Sequence, residues 1–432
     1  MGYCLKNATL ITEDAKVIPG KDICISGGKI TKICDSGENC CEEGFETVDC
    51  TGLFVSPGLT NLHTHLAMNI FKGIAEDATP DEWFNELIFP YESKMTEEDI
   101  YVGTMLGLCE LINNGVTAVA DHYFGEETVL RAVKDSGMRV DMSPTLFGSS
   151  PDYKDRLACV CEFIEKHRND SDRVSFRMGI HSDYTCPPDT LAEMGEAAGR
   201  LGVPIHMHLY DDRDQITLSK ERYGKSVATV VKEAGLLKHK ILFAHCLWME
   251  EELLDHLTDD CFFAFCPKTY LKMGLGKGTF FDFYEKLNFS FGTDGAASSN
   301  TLNPVEQARL FALICKFDFK PKACKVDEMW RYLMRGHDAL NFGTGKLKEG
   351  TPADLVIWDF KTCDTMMTYN PITSILYSSN SSNARYTMVG GEFLKYDGRL
   401  KTDFVELAKR AERLRDDMLR RGKGEANVSY LK

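Results

Sequence analysis

Several histidines and one aspartate of this chain are spaced as a metal site would require. His63 and His65 are separated by a single threonine. In an extended segment residues two apart point to the same face, so the pair offers two imidazoles to one cation. An isolated H-x-H is weak evidence, because histidines also pack in cores or face solvent. It gains weight from His181, His208, His245 and Asp294, each of which closes a short apolar run that reads as a strand. A divalent cation held there lowers the pKa of bound water toward neutrality, and a neighbouring carboxylate relays the proton, which is hydrolytic chemistry. His206 lies two residues before His208, on the same strand face, and competes with it as a ligand.

Those residues need elements that bring them to one place. Candidate strands cover 59–65, 116–121, 139–144, 174–181, 203–209, 240–246, 261–267 and 288–294. Helical patterns separate them, over 97–113 stopped by Gly115, 126–136 stopped by Gly137, 188–201 stopped by Gly202, and 303–317 with Pro304 in its first turn. Eight strands alternating with helices predict an α/β fold, a (β/α)8 TIM barrel over 56–345, whose catalytic groups stand at the C-terminal strand ends. Residues 1–55 and 346–400 instead show short β-like runs with turns. Neither end has enough strands to be stable alone, so the two are expected to form one discontinuous β-sandwich domain. Residues 401–432 read as an amphipathic helix, with Phe404, Leu407, Ala411 and Leu414 on one stripe, serving as a packing tail.

Composition narrows the function. The 432 residues exceed what one core usually fills, and 43% hydrophobic with 27% charged is an ordinary globular balance. A net charge of −15 repels phosphate backbones and anionic membranes, so neither nucleic acid nor membrane is expected as a partner. Without a signal peptide or an eighteen-residue apolar run, the protein reads as cytoplasmic. The sixteen cysteines are expected to be reduced core thiols, and the lack of any C-x-x-C pair argues against a cysteine-based zinc site. No phosphate-binding G-x-x-x-x-G-K loop occurs, nor the H-x-E and P-C-x-x-C of small zinc nucleobase deaminases.

Across nearly its whole length the chain resembles the amidohydrolase superfamily. Pro57-Gly-Leu-Thr-Asn-Leu-His-Thr-His65 is similar to its first-strand motif and Phe291-Gly-Thr-Asp-Gly-Ala-Ala-Ser298 to its eighth-strand motif. Phe89-Pro-Tyr-Glu92, Asp121-His-Tyr-Phe124, His181-Ser-Asp-Tyr-Thr-Cys186, His208-Leu-Tyr, Ala244-His-Cys246 and Asn300-Thr-Leu-Asn303 look like the branch of 5-methylthioadenosine/S-adenosylhomocysteine deaminases and related chlorohydrolases. The resemblance implies one divalent metal per chain, zinc with iron as the alternative, ligated by His63, His65, His208 and Asp294. The Leu-Tyr pair favours His208 as the ligand, leaving His206 a buried, hydrogen-bonded residue. Asp294 would accept the proton of the attacking water and His245 would orient the resulting hydroxide. Dinuclear members carry a strand 4 lysine, and here that strand ends in Gly179-Ile-His181. His181 resembles the residue that contacts the substrate ring, Glu92 the carboxylate that grips the ribose hydroxyls, and Trp83 belongs to a lid-like segment over 72–90. His122 is expected to be an edge contact.

One departure concerns the acid that protonates the ring nitrogen. The family places a glutamate three residues after the strand 5 histidine, where this chain has Asp211 followed by Asp212. Asp211 either takes that role with a shorter reach or caps the next helix. The resulting expectation is a metal-dependent hydrolytic deaminase of an adenine-type ring in a 5′-modified adenosine, releasing ammonia and acting as a homo-oligomer on a small-molecule nucleoside. The alternatives are deamination or dechlorination of another aminated heterocycle, such as guanine, a pterin or a triazine, and a non-catalytic scaffold on the same barrel.

Overall fold

The computed structural model describes residues 2–38, 40–317 and 320–422. Eight parallel strands follow one another around a barrel: Leu59–Thr64, Val116–Tyr123, Arg139–Leu146, Met178–Ser182, Ile205–Leu209, Ile241–His245, Cys261–Phe265 and Phe289–Phe291. The hydrogen-bonded order runs from the eighth strand back to the first without interruption. The seam between first and eighth closes just past the strand ends, where the Thr293 and Asp294 amides donate to the His63 carbonyl at 2.9 and 3.0 Å. Asn61 staples the same seam, donating to Thr293 Oγ1 at 2.7 Å and accepting from the Thr293 amide at 3.1 Å.

The expected helices form at Glu97–Asn113, Glu126–Ser136, Pro188–Leu201 and Pro304–Phe317. The first starts in a capping box of Thr96 and Asp99. Gly137 and Gly202 end the next two at φ of +74° and +65°, the left-handed conformation that glycine adopts without a Cβ penalty. The fourth strand departs from expectation. It is broken into Val174–Phe176 and Met178–Ser182 at Arg177, whose buried guanidinium binds the Asp141 carboxylate and the Ala339 carbonyl.

Strands from both chain ends build a second, mostly antiparallel nine-stranded sheet. Phe54–Pro57 pairs with Leu355–Trp358 in antiparallel register, which joins the N-terminal strands to the C-terminal ones. Leu5, Leu10, Ile23, Ile25, Val55, Leu355 and Met388 form its own apolar cluster. Arg139 of the third barrel strand ties this sheet to the barrel through a buried ion pair with Asp354 at 2.8 Å. The C-terminal helix spans Phe404–Arg421, and the rest of its expected range, 423–432, lies outside the described residues. No helix of the described residues is long and apolar enough to cross a membrane.

The expectation of uniformly reduced thiols is corrected. Cys24 is bridged to Cys41 and Cys34 to Cys40. The sequence reading missed these bridges because the connection after strand Lys29–Asp35 folds Cys40 and Cys41 back onto the strands that carry Cys34 and Cys24.

Candidate active site

The strand ends place His63, His65, His208 and Asp294 around one point. His208 Nε2 lies 3.2 Å from His63 Nε2 and 3.3 Å from His65 Nε2. Asp294 Oδ1 lies 3.2 Å from His65 Nε2 and 3.7 Å from His63 Nε2. The opposite ring nitrogens fix the tautomers. His65 Nδ1 donates to the His122 carbonyl at 2.5 Å and His208 Nδ1 to the His181 carbonyl at 2.8 Å. A carbonyl only accepts, so in the neutral rings Nε2 of His65 and Nε2 of His208 face the cluster with a lone pair and no proton. Burial, then the neighbouring imidazoles, holds the pKa of His63 and His208 well below the usual histidine value. Burial lowers His65 as well, but the Asp294 carboxylate beside its Nε2 outweighs it and raises its pKa, so positive charge is favoured at that point. Several acceptors thus converge on one another with no donor between them, and a cation fits that donor set.

The backbone is bent to make this cluster. His245 and Asp294 sit at φ of +74° and +61°, a conformation uncommon for non-glycine residues and often found at functional sites. Asp294 Oδ2 accepts from Ser298 at 2.7 Å and Oδ1 from the Gly295 amide at 2.8 Å. Burial opposes its ionisation, yet His65, His245 and Ser298 hold the Asp294 carboxyl well below the usual range. His245 Nδ1 lies 3.2 Å from the Tyr270 hydroxyl, whose oxygen already accepts from the Cys266 amide at 3.0 Å. The Tyr270 proton is therefore donated to Nδ1, and His245 presents an Nε2–H to the site.

A cavity of about 220 Å³ opens above, lined by Trp83, Glu92, His181 and Asp211 as well as by His65, His208, His245 and Asp294. It is below the roughly 300–1,000 Å³ of sites for drug-sized ligands. His63 lies beneath it, fully buried. Glu92 accepts from the Tyr123 hydroxyl at 2.7 Å, and burial raises its pKa. It does not cap the helix at Thr96, where Asp99 performs that function. His181 stacks on Phe147 at 4.3 Å between centroids, bonds Thr185 at 2.9 Å and is pushed down to about 3 by burial. The Trp83 indole nitrogen is buried without a protein partner.

Asp211 caps nothing. The turn into the helix Asp214–Tyr223 is served by Asp212, which accepts from the Asp214 amide at 2.9 Å. One Asp211 oxygen is buried without a hydrogen bond, as is one of Asp183. Burial, then the Asp183 charge, pushes Asp211 up to about 7. Asp183 stood in the His181–Cys186 motif without a role of its own, since its partnership with Asp211 crosses from the fourth strand end to the fifth. Tyr270 and Phe147 were missed for the same reason. His206 is buried as expected, between His63 Nδ1 and Ser143, each at 2.9 Å. His122 lines the cavity as a buried ring bonded to the Ile180 carbonyl at 3.1 Å and to Thr145 at 3.2 Å.

The amidohydrolase family matches residues 54–394. A 5-methylthioadenosine/S-adenosylhomocysteine deaminase of Caldicellulosiruptor saccharolyticus is 34% identical over 411 residues, 93% of this chain and 95% of the relative. A 5′-deoxyadenosine deaminase of Methanosarcina barkeri is 31% identical over 429 residues, 96% of this chain and 95% of the relative. Among solved structures, an adenosine deaminase from Xanthomonas campestris with bound zinc superposes with a TM-score of 0.91 at 21% identity, covering 97% of this chain and 98% of that one. The atrazine chlorohydrolase TrzN from Arthrobacter aurescens TC1, complexed with zinc, gives 0.86 at 20% identity over 96% of this chain and 100% of that one. With the match running from strand Phe54–Pro57 of the second sheet through the whole barrel and back into that sheet at Leu394, the chain belongs to the amidohydrolase family.

Proposed function

We propose that the protein is a zinc-dependent hydrolytic deaminase that converts the adenine-type ring of a 5′-modified adenosine to the inosine product and ammonia. The observation that carries this reading is the convergence of His63, His65, His208 and Asp294 beneath a cavity that also holds the unpartnered carboxyl oxygen of Asp211. When bound by those four residues, a divalent cation supplies Lewis acidity that lowers the pKa of water toward neutrality.

The chain's own residues supply the rest. His245, with its Nε2–H facing inward, orients the attacking water. Asp294 takes one proton from that water and delivers it to the amino nitrogen as the new carbon–oxygen bond forms. Asp211 in its protonated form donates to the ring nitrogen beside the attacked carbon. The carbon–nitrogen bond then breaks and ammonia leaves. The second proton of the water departs as the carbonyl forms, and its equivalent restores Asp211. Glu92 accepts hydrogen bonds from the ribose hydroxyls, His181 contacts the ring and Trp83 covers it.

A second reading, an aminohydrolase or dechlorinase of a guanine, pterin or triazine ring, is favoured by one observation: Asp211 reaches one methylene less far than the glutamate usual at its place. Incubation with 5-methylthioadenosine, S-adenosylhomocysteine and adenosine separates the readings. The proposal expects replacement of the amine by oxygen in the product mass with stoichiometric ammonia, abolished by chelation and restored by zinc. No turnover of any of the three by the zinc-loaded protein contradicts it.

A further inference from the structure

A second concentration of metal-ligating side chains lies in the sheet built from the chain ends, far in sequence from the histidines. Cys4 of strand Tyr3–Ile11 is the register partner of Cys24 in strand Val17–Ser26. Cys34 lies in the next strand, Lys29–Asp35, two residues from Lys32, the partner of Cys24, and so on the same face. That face is opposite the sheet's apolar cluster, which takes the alternating residues Leu5, Ile23 and Ile25. Cys40 and Cys41 arrive from the connection that follows. The sulfurs of Cys4, Cys24 and Cys41 lie within 4.8 Å of one another, and Cys24 Sγ is 3.4 Å from Cys40 Sγ. In the structure the cluster is oxidised, with Cys24 joined to Cys41 and Cys34 to Cys40.

Two purely structural bridges need four sulfurs arranged as separate pairs. Here a fifth, the buried Cys4 thiol, abuts one bridge, and the two bridges touch each other. The connection they secure, 36–45, carries Glu38, Glu42 and Glu43 and only Phe45 as a large apolar side chain, so sulfur chemistry is its main anchor. A zinc–sulfur bond of about 2.3 Å sets the sulfurs of a tetrahedral site about 3.8 Å apart. The Cys24 and Cys40 sulfurs are 3.4 Å apart and those of Cys4, Cys24 and Cys41 lie within 4.8 Å, so small shifts bring them to that spacing.

We propose that the reduced cluster is a second cation site, a thiolate site for one zinc ion centred on Cys24, Cys40 and Cys41 and completed from Cys4 and Cys34. Two equivalents of a dithiol supply the four electrons and four protons that open the two disulfides, ending as two disulfides of the reductant. Zinc then displaces the thiol protons as it binds. The site owes nothing to the histidine cluster, and its test does not depend on turnover.

The full-length protein is treated anaerobically with a water-soluble phosphine, which ends as phosphine oxide, then loaded with zinc or cobalt(II) and freed of excess metal. Relative to the oxidised protein, the reduced protein should hold about one more cation per chain, with cobalt giving a thiolate-to-metal charge-transfer band. Cys41→Ser, on the half-buried connection, and the double variant Cys24→Ser with Cys41→Ser should lose both the extra cation and the band while keeping the histidine-site cation. Because the double variant could fail to fold, alkylation of the wild type offers an independent readout, in which zinc should protect four of these five cysteines. Equal metal content in the oxidised and reduced protein overturns the proposal. So does an added cation without the charge-transfer band, or alkylation that zinc does not slow.

Discussion

At the scale of single residues, the proposed chemistry rests on protons held at particular atoms. Asp211 is pushed up to about 7 by burial and the Asp183 charge, so its protonated, donating form is lost as pH rises through that value. Activity should therefore show an alkaline limb near neutrality. Asp183→Asn removes the like charge but not the burial, so the limb should move to lower pH, measured as kcat/KM against pH. Burial pushes Asp183 up to about 7, so its ionisation weakens the fold progressively as pH rises from the ordinary carboxylate value to about 7, and the full cost is present above that. The same variant should accordingly raise Tm more at pH 8 than at pH 4. Asp211→Asn should keep its metal and lose roughly 10²- to 10⁴-fold in kcat, and His245→Gln about 10²-fold or more with KM little changed. Near-normal turnover in either variant removes that residue from the mechanism. The clustering of His63, His65 and His208 was legible because a two-residue period and strand-end placement are local properties. Asp183 and Tyr270 were not, because what matters about each is a neighbour more than twenty residues away.

At the scale of elements, the barrel was legible in outline, since helix periodicity and glycine stops are written locally. The helices over 97–113, 126–136 and 188–201 formed with the expected bounds. The break at Arg177 was hidden, because a buried arginine inside an apolar run reads as strand until its partner Asp141 on the neighbouring strand is known. The seam between the first and eighth strands was hidden too, although it decides where His63 and Asp294 stand. Asn61 → Ala strips the Thr293 amide and hydroxyl of their buried partner. Loss of such outer support typically costs 10- to 100-fold in metal affinity, and competition with a chromogenic chelator should read that loss. Unchanged affinity would show that the seam does not position the ligands.

At the scale of the whole molecule, the end-built sheet is joined to the barrel by shared apolar packing and by polar contacts, of which the buried Arg139–Asp354 pair is the most confined. Asp354 accepts from Arg139 Nε at 2.8 Å and Nη2 at 3.1 Å and from the Gly390 amide at 2.9 Å. Asp354→Ala leaves the buried Arg139 guanidinium with only the exposed Asp172 carboxylate, 3.7 Å away, which should cost about 3 kcal/mol, the lower end for breaking a buried pair, in denaturant unfolding. A change under about 1 kcal/mol, the worth of a surface pair, would show that the junction is not held this way. The sequence suggested that the two ends form one unit, because neither carried enough strands alone. It could not reveal that Arg139 and Asp354, 215 residues apart, would join that unit to the barrel.

The central claim, a nucleoside deaminase, is tested most directly by comparing kcat/KM for 5-methylthioadenosine and for free adenine in the wild type and in Glu92→Ala. A carboxylate holding ribose hydroxyls makes charge-assisted hydrogen bonds worth roughly 1.5–3 kcal/mol each. The wild type should therefore prefer the nucleoside by at least about 10²-fold, and Glu92→Ala should erase most of that margin with metal content intact. Rapid turnover of guanine or a triazine with every adenosine derivative inert would contradict it.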